Sequence, residues 1–236
     1  MADRSRFEEG IRCFEEAESL MGKAFQIFAE ASDSGDAEAL YRFGQMFDRG
    51  YGCTQNPKVA MKYYAMAADQ GLADAQFAIG ILHFYGRGTP QDYSLAREWF
   101  AKAAEQDYAK AVFNLGVMAE NGMGCEVDFG TAREWYLKAS ELGSAKAEYN
   151  LAVMYGKGNG VEKDPAKQFE WYMKSARRGY AKAQYGVGFC YYKGLGVDQS
   201  DFEAMKWFQL GAAQGHMRSQ KMVDVLRGRH RIVSIS

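Results

Sequence analysis

The chain has 236 residues, 47% of them apolar and 25% charged, with 29 lysines and arginines against 30 acids. That composition is too apolar for disorder and too evenly charged for a general nucleic-acid binder, and no apolar run approaches the roughly 18 residues of a membrane span. The four cysteines (Cys13, Cys53, Cys125, Cys190) form no CxxC pair, so neither a zinc framework nor a disulfide-dense secreted scaffold is expected.

The first residues, MADRSRFEEGIRCFEE, alternate charges where a signal peptide needs an apolar stretch, which points to a cytoplasmic protein. Residues 1–40 carry ten acids against Arg4, Arg6, Arg12 and Lys23, whereas residues 215–236 carry Arg218, Lys221, Arg227, Arg229 and Arg231 against Asp224 alone. Residues 1–34 read as an N-terminal cap helix over 3–18, with Phe7, Ile11 and Phe14 on one face, plus a half repeat in which Ala24, Ile27, Phe28 and Ala31 keep the pattern of the second helix of each later pair.

From Gly35 the chain repeats every 36 residues without a gap, giving repeats 35–70, 71–106, 107–142, 143–178 and 179–214. Tyr63, Trp99, Trp135, Trp171 and Trp207 share one column, and Tyr64, Phe100, Tyr136, Tyr172 and Phe208 the next. Each repeat reads as two short helices. The first ends at a Gly-x-Gly (Gly50/Gly52, Gly86/Gly88, Gly122/Gly124, Gly158/Gly160, Gly194/Gly196), where a glycine takes the left-handed conformation that closes a helix. The second starts at Asn56, Asp92, Asp128, Asp164 or Ser200, each able to accept an orphan amide hydrogen bond, and Pro57 and Pro165 follow at the first helical position.

Gly44, Gly80, Gly116 and Gly188 lie inside the first helices, with Ala152 in the fourth repeat. A glycine there costs about 0.5–1 kcal/mol, so the column implies close helix approach beside the aromatic pair. Helices of about 12 residues are marginal alone and must be stabilised by stacking. Residues 215–227 form a capping helix in which Lys221, Asp224 and Arg227 replace the aromatic and glycine columns, and 228–236 read as a frayed tail. The expected fold is a single all-α domain, a right-handed α-solenoid of antiparallel helix pairs.

The pattern A-x-A…LG-x-x-Y-x-x-G-x-G-V-x-x-D…A-x-x-W-Y-x-x-A-A-x-x-G, carried best by AKAEYNLAVMYGKGNGVEKDPAKQFEWYMKSARRG, resembles the Sel-1-like repeat family, relatives of tetratricopeptide repeats. The resemblance implies a solenoid acting as a protein–protein adaptor. A cysteine-rich secreted branch of that family, linked to β-lactam binding, has a disulfide within each repeat that this chain lacks.

Little in the sequence points to catalysis. No Gly-x-Gly extends to GxGxxG, there is no GxxxxGK[ST], HExxH or GxSxG, and His83, His216 and His230 sit at unrelated heights. Cys53 and Cys125 fall two repeats apart, about 20 Å at roughly 10 Å per helix pair, too far for a disulfide. Glu98/Lys102, Glu134/Lys138 and Glu170/Lys174 are i,i+4 pairs on a solvated face.

The face of the first helices left free by the core is the candidate concave groove. Lys110, Lys146 and Lys182 share one column; Asn114 and Asn150 the next; Ile81, Val117, Val153 and Phe189 the third; Tyr85 and Lys193 the last. An apolar stripe between amides and lysines suits an extended peptide of acidic character or with a free carboxylate. The expected function is a non-catalytic adaptor that binds a protein or peptide partner there, without cofactor, metal, nucleic acid or membrane, as a monomer. The alternatives are a dedicated inhibitor or immunity protein and, far less favoured, a weak hydrolase of the β-lactam-binding branch.

Overall fold

The computed structural model describes the backbone of residues 2–233 and the side chains of residues 6–228. The described residues form twelve α-helices joined by short turns. α1 spans Ala2–Ser32; the first helices of the pairs are α2 (Ala37–Arg49), α4 (Ala73–Tyr85), α6 (Ala109–Asn121), α8 (Ala145–Lys157) and α10 (Ala181–Lys193). Their partners are α3 (Pro57–Ala68), α5 (Tyr93–Ala104), α7 (Phe129–Glu141), α9 (Pro165–Arg177) and α11 (Asp201–Ala213), and α12 spans Met217–Val233. The chain forms two compact units, residues 1–111 and 112–236.

Capping chemistry sets the boundaries where it was expected to. Asn56, Asp92, Asp128, Asp164 and Ser200 each accept a hydrogen bond from the amide three residues on, at 2.9–3.2 Å. Gly50, Gly86, Gly158 and Gly194 close their helices in the left-handed conformation. The second glycine of each pair has a different task. A Cβ on Gly88 would lie 2.8 Å from the backbone of Pro57 and Lys58, and one on Gly196 would strike the Pro165 carbonyl. The loops at Gly88, Gly160 and Gly196 thus press on the start of the preceding repeat's second helix.

The glycine column is explained by the aromatic ring that follows the tryptophan, not by the tryptophan itself. A Cβ at Gly44, Gly80, Gly116 or Gly188 would come within 2.5–2.8 Å of Tyr64, Phe100, Tyr136 or Phe208. Those four rings are 0–2% exposed and form the core with alanines such as Ala60, Ala96, Ala132 and Ala204.

The two chain ends depart from expectation. α1 is one uninterrupted helix, because only the isolated Gly10 and Gly22 interrupt its helix-forming residues and no Gly-x-Gly or Pro stops it. Its C-terminal part occupies the place of a second helix: the Phe25 ring lies 5.1 Å from Phe43, and Gly52 abuts Met21. Phe7 and Phe14 are 68% and 65% exposed, and Ile27, assigned to the packing pattern, is 62% exposed. At the other end α12 continues through residues 228–233, since Gly228 alone does not end a helix. Residues 234–236 of the expected tail lie outside the described residues.

Candidate functional site

The fourth repeat carries an alanine, Ala152, where the others have glycine, and the consequence is local and physical. Its methyl group occupies the space against which Tyr64 and Tyr136 lie flat in their own repeats. The Tyr172 ring lies instead against Gly186 of α10, all of its nearest atoms 3.0 Å from where a Cβ would stand. Tyr172 is consequently half-buried while its four counterparts are sealed. Beside it Gly156 leaves room that the Gln168 amide enters, and Gln168 hydrogen-bonds the Tyr172 hydroxyl.

These departures open a cavity of about 790 Å³ within the second unit. Its aromatic lining comes in two groups: Tyr149 and Tyr172 have ring centroids 5.6 Å apart, while Tyr185 and Phe189 are stacked at 6.1 Å and Tyr185 meets His216 at 5.3 Å. Val153 and Cys190 add apolar surface, while Lys157, Lys182 and Arg218 stand at the rim. No aspartate or glutamate lines the cavity, and among the described residues none of those three cations forms an ion pair.

The electrostatics agree with that lining. Burial, then the charges of Arg218 and Lys182, hold the His216 imidazole below its ordinary pKa. Burial raises the Tyr149 phenol, and Lys182 and Arg218 pull it partly back. Burial pushes Tyr172 and the Cys190 thiol each up to about 12, so both stay neutral near pH 7. The cavity is therefore a neutral aromatic floor under a cationic rim.

The residues expected to line a groove are divided between the units. Ile81, Tyr85 and Lys110 belong to the first, where Ile81 is half-buried and Tyr85 is 63% exposed. Asn114, Val117, Lys146, Asn150, Val153, Lys182, Phe189 and Lys193 belong to the second. There Val153, Lys182 and Phe189 meet at the cavity, and Lys146 and Lys193 are exposed. Asn150 is engaged from below by the buried Tyr136 hydroxyl, which in turn donates to Glu120 at 2.6 Å. The sequence reading did not single out Tyr149, Gly156, Gln168, Tyr172, Tyr185 or His216 as site residues. The available signal was Ala152 interrupting the glycine column.

The same repeat holds a buried charge. Glu148 of α8 is fully buried and reaches Arg178 at 3.0 Å, Lys174 at 3.7 Å and the Ser140 hydroxyl at 3.4 Å, while its Oε2 has no hydrogen-bond partner. Its counterparts Gln76 and Gln184 instead accept from Gln106 and Gln214. Lys174 thus turns to Glu148 and to the Trp171 ring, and Lys102 lies 4.0 Å over Trp99. Cys53 and Cys125 are free thiols facing the carbonyls of Met46 and Met118. No described helix is long and apolar enough to cross a membrane, and no described cluster of His, Cys, Asp and Glu is suited to a metal.

The 36-residue period, the paired helices and their glycine-closed turns define an all-α solenoid of Sel1-type repeats. Family comparison matches the Sel1 repeat over residues 37–72, 73–108, 109–144, 145–180 and 181–216, and the chain belongs to that family. Sel1 repeat proteins are protein-interaction scaffolds.

Among solved structures, the chain is similar to c5321, a protective antigen present in uropathogenic Escherichia coli strains displaying an SLR fold. Identity is 33% and the TM-score 0.81, over 86% of this chain and 44% of that one. The chain thus spans less than half of that antigen's length. A Sel1 repeat protein from Oxalobacter formigenes is 30% identical, with a TM-score of 0.78 over 88% and 86% of the two chains. The immunity protein Pa5087 from Pseudomonas aeruginosa shares the fold at 17% identity and a TM-score of 0.51, over 87% and 74% of the two chains. No curated protein matches the chain.

Proposed function

We propose that the chain is a non-catalytic protein-binding module that engages an acidic segment of a partner through the first-helix face of its second unit. The observation that carries this reading is the aromatic floor ringed by Lys157, Lys182 and Arg218 with no acid among the lining residues. Lys146 and Lys193 extend the positive character along α8 and α10, and Asn114, Val117 and Val153 supply amide and apolar contacts of the kind an extended peptide uses. Ile81, Tyr85 and Lys110 belong to the first unit and form its own candidate face. Repeat proteins present such surfaces without needing a catalytic constellation.

The test is affinity capture from the source organism, with the Lys146→Glu/Lys182→Glu protein as control. A stoichiometric partner lost from the control, with helical circular dichroism unchanged, is the expected result. A partner retained by both proteins would remove the function from this face. An inhibitor that covers a partner enzyme would use the same surface, and the identity of the captured protein separates it from an adaptor.

A further inference from the structure

Resting on that reading, we infer that the cavity under Tyr172 is a specificity pocket for one aromatic side chain of the partner, flanked in the partner's sequence by aspartate or glutamate. Three features converge on this. The pocket exists because Ala152 displaces the Tyr172 ring onto Gly186 and the Gln168 amide occupies the space beside Gly156, so its shape arises from departures from the repeat and not from the repeat itself. Its floor consists of ring faces and edges from Tyr149, Tyr172 and Phe189, against which an incoming ring packs offset or edge-on. Its rim supplies Lys157, Lys182 and Arg218, and neither an ion pair within the chain nor an acidic lining residue neutralises them.

The combination excludes simpler occupants. A purely acidic segment would leave the aromatic floor wet, and a purely apolar one would leave the cationic rim without partners. At about 790 Å³ the space exceeds a single side chain and accommodates the flanking backbone as well.

The experiment is selection from a display library of random dodecapeptides against the purified full chain, followed by fluorescence anisotropy on the enriched sequences. The inference expects enriched peptides to share one Trp, Phe or Tyr between acidic residues. Replacing that ring by alanine should weaken binding about tenfold or more, the scale of losing one large buried side chain. Lys182→Glu/Arg218→Glu should abolish binding, and Gly186→Leu, which drives a side chain against the Tyr172 ring and so deforms the floor, should remove the preference for the ring.

Since Gly186→Leu perturbs a packed position, Phe189→Ala serves as the milder variant, and thermal melts check both. Acidic peptides that bind equally well with alanine in place of the ring would overturn the pocket while leaving the acidic-partner reading intact. Enrichment of peptides with no acidic residues would overturn both. Indole-3-acetate binding as tightly as the peptides would reassign the cavity to a small aromatic anion and overturn the inference.

Discussion

Tyr136 and Tyr172 occupy the same position in consecutive repeats, yet one is sealed and the other lines an opening. Tyr136 is fully buried over Gly116 and donates its hydroxyl to Glu120. Tyr172, facing Ala152 in its own repeat, rests on Gly186 of the next one and stays half-buried. The two seats differ by the methyl group of Ala152 and by Gly156 and Gly186, which stand where the Tyr136 seat has Glu120 and Asn150. In a stack where each element touches only its neighbours, such a change stays local: the ring moves, an opening appears, and the repeats on either side keep their packing.

That contrast can be broken most forcefully at Glu148, the charge that marks the fourth repeat as different in its core. Removing both cations, as Lys174→Ala/Arg178→Ala, strands a fully buried carboxylate. Chemical denaturation should show a loss approaching the roughly 3–5 kcal/mol of a broken buried pair, moderated because both cations are half exposed. Glu148→Leu, which copies Leu40 of the first repeat, should instead be neutral or stabilising. Equal losses from the two variants would refute this account of the network.

A smaller effect is expected from making the third repeat resemble the fourth. In Gly116→Ala the new methyl would stand 2.6 Å from the Tyr136 ring. The ring must yield at a cost of about 1–3 kcal/mol, and Tyr136 should become as reactive towards nitration as Tyr172. An unchanged melting temperature together with unchanged reactivity would sink the explanation of the glycine column.

The converse substitution, Ala152→Gly, should alter stability by less than about 1 kcal/mol. Its helix-propensity cost offsets the burial regained by Tyr172. The expected readout is a fall in Tyr172 nitration to the level of Tyr136.

The smallest effect concerns what the two repeats share. Asp128 and Asp164 cap their helices by accepting amide hydrogen bonds from Thr131 and Lys167, and those bonds hold both carboxyls below their ordinary pKa. A depressed folded value means that the stabilisation is fully present above the unfolded pKa of about 3.9 and is lost as pH falls through the folded one. Asp128→Asn and Asp164→Asn should each flatten the acid-side decline in denaturation midpoint to a similar extent. A decline untouched in both variants would show that these caps do not contribute.

The helix boundaries were legible because their signals are local. Asp92 with Leu95, or Gly86 directly after Tyr85, involves neighbours in sequence. The close approach at Gly80 was legible too, but the choice between Trp99 and Phe100 was not. Which of two adjacent aromatics faces inward depends on the rotation of α5, which only the packed neighbours fix. The cavity was still less accessible, since it needs Ala152, Gly156, Tyr172 and Gly186 read together, and each alone resembles ordinary drift in a repeat. Lys182, Val153 and Phe189 were found because column alignment finds faces. Their aromatic floor was missed because it consists of residues shared with the core.

The second glycine of each turn carries a consequence for how such a chain diversifies. At Gly88 and Gly196 the neighbour pressed upon includes main chain of the preceding repeat. A junction built partly on backbone makes modest demands on the side chains of the joined modules. Copies can then be duplicated, deleted or recombined as interchangeable cassettes, and sequence drift is free to accumulate on the outward faces, where new recognition can be tried.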